Sequence, residues 1–111
     1  MDTFVLHLKR EPAFTCAAVP TMVLIDGSLR ASLKVTDSQN LILPRKPVKV
    51  DLVSQIFMGK DEHECSITID PQDYIEVTLS FTYKSSLKGL LKLKTFYIQT
   101  NIIYGPKLSG R

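Results

Sequence analysis

Apolar and polar residues alternate along most of this chain, and a period of two marks a strand with one buried face and one in water. Phe4, Leu6 and Leu8 share one face of a first strand. Leu29, Ala31, Leu33 and Val35 line one face of another, with Arg30, Ser32 and Lys34 opposite. Val48, Val50, Leu52, Ser54 and Ile56 repeat the pattern, and Ile67 and Ile69 give a short strand. In the longest strand, residues 74–84, Ile75, Val77, Leu79, Phe81 and Tyr83 alternate with Glu76, Thr78, Ser80 and Thr82. A last strand covers residues 95–104. Half-polar strands of this kind suit antiparallel sheets with one solvated side.

The breaks between these runs carry turn chemistry. Asp26-Gly27, between Met22-Val23-Leu24-Ile25 and Ser28-Leu29, predicts a type I′ hairpin, because both central residues need positive φ and Gly supplies one without steric cost. Thr36-Asp37-Ser38-Gln39-Asn40 is a run of turn formers, Pro44-Arg45-Lys46-Pro47 marks a corner, residues 59–63 form a polar loop, and Asp70-Pro71-Gln72-Asp73 stops a strand. Residues 85–94 are ambiguous: Ser85 could cap a short helix, but Gly89 in its middle costs ~1 kcal/mol relative to Ala. We read them as a long hairpin connection with a bend.

About eight short strands with regularly spaced turns predict an all-β fold, an antiparallel two-layer β-sandwich that is immunoglobulin-like or jelly-roll-like, with a closed barrel as the alternative. The connection over residues 11–20 is expected to cross between sheets and cap one end of the core. The expected core is Phe4, Leu6, Ile25, Leu33, Val48, Val50, Leu52, Ile67, Val77, Leu79, Phe81, Ile98 and Ile102. Residues 1–104 make one domain, and residues 105–111, small and polar, read as a flexible tail.

Composition adds little to this picture. A chain of 111 residues, 44% hydrophobic, builds one core without help from disulfides or metals. The net charge of +3 leans toward anionic partners, yet the 11 acids are scattered among the 14 bases. Cys16 and Cys65 are expected to be reduced thiols that behave as small hydrophobes. With an acid at Asp2, His7 interrupting the first apolar stretch, and no cleavage site, the N-terminus does not read as a signal peptide; if Met1 is the natural start, the expectation is cytoplasmic.

No constellation here demands a chemistry. His63 and Cys65 in Asp61-Glu62-His63-Glu64-Cys65 lack zinc spacing, and this cluster reads as a solvated loop. A catalytic Cys16 or serine would need His7 or His63 as its base, brought close only by the fold, and both the Gly-x-Ser-x-Gly elbow and phosphate-cradling Gly-rich loops are missing. We therefore expect no catalytic, cofactor-binding or metal residues and no cofactor. Two binding features remain. Lys84, Lys88, Lys92 and Lys94, interleaved with Tyr83, Leu87, Leu90, Leu91, Leu93, Phe96 and Tyr97, would suit single-stranded nucleic acid or an anionic membrane surface, or else simply solvate an outer face. The final strand, residues 96–104, carries no charge to protect it from edge pairing, which makes Phe96, Ile98 and Ile102 a candidate interface for a protein partner or for self-association.

Residues 21–53 also bear on function. Ile25-Asp26-Gly27-Ser28, then Leu41-Ile42-Leu43-Pro44, then Val48-Lys49-Val50 resemble the hairpin, leucine-proline corner and Val-x-Val strand of PEGA-like carbohydrate-surface or cell-envelope accessory modules of bacteria. Ala17-Ala18-Val19-Pro20 departs from the Pro-Glu-Gly-Ala tetrad, and Pro44-Arg45-Lys46-Pro47 lacks the Gly-His that follows the proline there. The resemblance implies a small, non-catalytic bacterial sandwich used for contacts, with no ligand residues to carry over.

Overall fold

A computed structural model describes residues 2–12, 20–55, 62–88 and 93–108. Its eight strands are β1 (Thr3–Arg10), β2 (Thr21–Ile25), β3 (Ser28–Leu33), β4 (Ser38–Pro44), β5 (Val48–Gln55), β6 (Glu62–Ile69), β7 (Glu76–Lys88) and β8 (Leu93–Tyr104). They form two packed four-stranded sheets, ordered β4-β1-β7-β8 and β3-β2-β5-β6. The sandwich read from the alternation is what forms. The connection over residues 11–20 does cross between sheets; its residues 13–19, with Cys16 and the apolar side chains expected to cap the core, lie outside the described residues.

The alternating residues meet in one core. Phe4, Leu6 and Leu8 of β1, Val48, Val50 and Leu52 of β5, and Val77, Leu79, Phe81 and Tyr83 of β7 are all buried. Every strand pair is antiparallel except β1 with β7, which run parallel with Leu6 opposite Val77. Parallel neighbours need a crossover, and the long chain between β1 and β7 supplies it: β2 and β3 lie in the second sheet, β4 returns antiparallel beside β1, β5 and β6 lie again in the second sheet, and β7 then enters beside the start of β1.

Asp26 and Gly27 have φ of 50° and 87°, the type I′ pair that the dipeptide predicts. The turn is fastened sideways to β5, since the Asp26 N–H donates to the Lys49 carbonyl and the Lys49 N–H to the Asp26 carboxylate. One expected alternation fails. Between Val23 and Leu24 the β2–β3 register shifts, so that Val23 faces Ala31 but Leu24 faces Leu29. The extra residue in β3 is a bulge, and such a slip reverses the face of what lies beyond it. Leu29, expected inside, is 61% exposed.

Several boundaries differ from the sequence reading. Ser38 to Asn40, expected in a turn, begin β4; Glu62 and His63, expected in a loop, begin β6; and β7 and β8 continue to Lys88 and from Leu93, so that only residues 89–92 of the ambiguous stretch lie outside the described residues. Residues 105–108, expected to fray, are held by hydrogen bonds from Gly105 N–H to the Glu76 carbonyl, Ile75 N–H to the Pro106 carbonyl and Leu108 N–H to the Asp73 carbonyl. Arg45 ties this end together by donating to the carbonyls of Gln72, Tyr74 and Thr3.

At the other end a polar group enters the core. Arg10 is buried, donates to the Leu33 carbonyl at 2.9 Å and lies 4.7 Å from the centre of the Tyr83 ring. The Tyr83 hydroxyl in turn hydrogen-bonds the Thr21 hydroxyl. A buried guanidinium survives only where carbonyl and π acceptors replace water, and these contacts do so across the two sheets.

Candidate interaction edge

The candidate residues lie on the β7–β8 hairpin. Because β1 stops opposite Phe81, residues 82–88 and 93–99 continue beyond it as a two-stranded ribbon, and the molecule is elongated, 54 × 25 × 21 Å. Register pairs Lys84 with Tyr97 and Lys88 with Leu93, whereas Lys94 pairs with Leu87. Directly opposed residues share a face, so the positions of Lys84 and Lys88 belong to one pleat and that of Lys94 to the other. Lys84 is exposed; Lys92 lies outside the described residues.

β8 is an edge strand, hydrogen-bonded only to β7 among the described residues. Which of its backbone groups face outward follows from the ladder. Val5 N–H donates to the Ile75 carbonyl and Glu11 N–H to the Phe81 carbonyl, so β7 turns its odd-numbered groups toward β1. Gly105 N–H donates to the Glu76 carbonyl, so the even-numbered groups of β7 face β8. In the register Val77 to Tyr104, the odd-numbered groups of β8 are then engaged. The N–H and C=O of Ile98, Thr100 and Ile102 point to the open edge.

The four sheet edges are not equivalent. β3 is six residues long and bulged, β4 ends at Pro44 beside Arg45 and Lys46, and β6 opens with Glu62, His63 and Glu64. Bulges, prolines and charges are the devices that keep edges from pairing. β8 is twelve residues long, pairs without a register shift, and carries Lys94 as its only charge.

The sides of the sandwich differ in the same sense. Where β3 meets β4, the inward side chains Ala31, Leu33, Leu41 and Leu43 are buried. Where β6 meets β8, Cys65, Ile67, Ile98 and Ile102 pack against the core but stay partly exposed. These four form an apolar seam along the open side. Burial pushes the Cys65 thiol above its ordinary pKa, so it stays protonated and serves as one more apolar contact. The sequence marked Ile98 and Ile102, together with Phe96, whose position is opposite Ser85. It missed Cys65 and Ile67 as part of the same surface, because nothing local says that β6 and β8 share a side.

On the outer face of the β8 sheet, His7 Nδ1 lies 2.6 Å from Asn40 Oδ1 and Nε2 lies 3.1 Å from Glu76 Oε1. Both partners are acceptors, and only the imidazolium can donate to both at once. The Asn40 hydrogen bond, opposed by partial burial and reinforced by the Glu76 carboxylate, raises the His7 pKa above its ordinary 6.5. A folded-state pKa above the unfolded one gives stability that is full below about pH 6.5 and is lost as pH rises through the folded value. Urea midpoints of wild type and His7→Gln should therefore differ most below about pH 6.5 and converge as pH rises through the folded value. A pH-independent difference would show that the imidazolium contributes nothing.

Among the described residues, no group of three or more His, Cys, Asp or Glu is placed to hold a metal ion, and no helix is long and apolar enough to cross a membrane. Comparison with protein-family models, curated proteins and solved structures gave no match.

Proposed function

We propose that this protein is a non-enzymatic interaction module that takes up a strand of a protein partner along β8. The observation that carries the reading is the asymmetry of the molecule: three edges are blunted, and the fourth is long, regular and beside a partly exposed apolar seam. Strand addition supplies main-chain hydrogen bonds to the outward groups of Ile98, Thr100 and Ile102, and the partner's side chains cover the seam. This accords with the contact role that the PEGA-like resemblance implies. Anion binding by the lysines has less support, since register divides their positions between two pleats.

A photo-crosslinking residue in place of Thr100, introduced in the cell of origin, tests the reading. Illumination should yield a discrete protein adduct at position 100 and none with the same residue in place of Ser32, on the opposite side of the sandwich. Equal yields at both positions, or no adduct at position 100, would overturn it.

A further inference from the structure

The open edge also specifies what fits it, if the strand-addition reading above holds. We infer that the occupant of the β8 edge is β8 of a second copy, paired antiparallel about a two-fold axis at Thr100, which joins two four-stranded sheets into one of eight. Three observations converge on this arrangement. β8 is the one edge of the described structure without a bulge, a proline or a charged cluster, so among contacts between copies the pairing of β8 with itself meets the fewest obstacles. An isologous contact of that kind closes on itself and buries the same patch twice.

Parity comes next. The even-numbered residues of β8 point their backbone groups to the open edge, so in an antiparallel pair an even residue must face an even residue. The same even-numbered residues, Ile98 and Ile102, turn their side chains to the seam. A two-fold axis normal to the sheet preserves faces, and both seams therefore come together on one side.

The register follows from charge and side-chain chemistry. Residues 95–105 contain no charged side chain, and their centre is Thr100. Pairing about Thr100 sets Ile98 opposite the second copy's Ile102, Gln99 opposite its Asn101, and Thr100 opposite its own equivalent. Threonine pairs directly opposite each other stabilise a sheet, apolar pairs cover each other, and no like charges are set face to face. It also sets Lys94 opposite Pro106, past the end of the strand, so that no lysine sits inside the new ladder.

Cysteine scanning in a Cys16→Ser, Cys65→Ser background reads this register directly. Residues opposed as a hydrogen-bonded pair have Cα atoms about 5.5 Å apart, within disulfide range. Thr100→Cys should form a covalent dimer on mild oxidation, and Asn101→Cys, whose position faces 99 rather than itself, should not. Sedimentation of the wild-type chain should show a dimer whose fraction grows with concentration. Thr100→Pro, which removes an outward N–H and leaves the β7 ladder intact, should be folded by circular dichroism and monomeric. A wild-type chain that is monomeric at millimolar concentration, or photo-adducts at position 100 that contain only another protein, would overturn the second copy; in the latter case strand addition stands. A dimer in which Asn101→Cys crosslinks and Thr100→Cys does not would overturn the register.

Discussion

Phe81→Ala is expected to destabilise the fold by about 3–5 kcal/mol, the usual cost of removing a buried phenylalanine, which combines lost transfer energy with the cavity left behind. Phe81 is 1% exposed and lies on an interior strand, between Arg10 of β1 and Thr100 of β8. Its carbonyl takes the Glu11 N–H, an interaction that alanine keeps, so the change reads packing and not the ladder. Collapse around the gap is limited because neighbours on both strands are fixed by hydrogen bonds. With an m-value of about 2 kcal/mol/M, the urea midpoint should fall by roughly 2 M. Lys84→Ala, at an exposed position of the same strand, should change stability by less than about 0.5 kcal/mol. A Phe81→Ala loss below about 1 kcal/mol would mean that this part of the core is not packed as described.

Gly27→Val should cost about 1–3 kcal/mol, the range for a non-glycine residue held in the left-handed region, with a β-branched side chain near the top of it. No atom lies within 4 Å of where a Cβ would stand, so crowding contributes nothing and the cost is that of φ 87°. The Asp26 hydrogen bonds to Lys49 hold the turn in place and prevent it from relaxing to another type. Gly27→Asn separates the causes, since asparagine tolerates positive φ and should recover most of the loss. Equal thermal midpoints for wild type and Gly27→Val would show that the hairpin is not type I′; equal losses for Val and Asn would point to space and not to dihedral angle.

Much of the fold was legible because each strand buries one face, and period two follows from strand geometry alone. Val77, Leu79, Phe81 and Tyr83 could be placed inside from their spacing, as could Phe4, Leu6 and Leu8. The Asp26-Gly27 turn was equally local, since only two residues determine it. The uncharged stretch 96–104 marked an unguarded strand, and that strand lies at a sheet edge.

Leu29 shows where such reading ends. Its spacing from Ala31 and Leu33 is perfect, but a bulge against β2 turns it outward, and a bulge belongs to a pair of strands and not to one. Arg10 is the converse: it shares the inward parity of Leu6 and Leu8, yet its charge argues for water until Leu33 and Tyr83, distant in sequence, supply acceptors. The seam follows the same logic, because Ile98 and Ile102 meet Cys65 and Ile67 only once β8 and β6 lie on one side of the sandwich. Period and turn chemistry, which act within a few residues, determined strands, faces and the first hairpin. Sheet order, the bulge, the partners of Arg10 and the open side were decided by tertiary structure, because each depends on which strands the chain brings together across long separations.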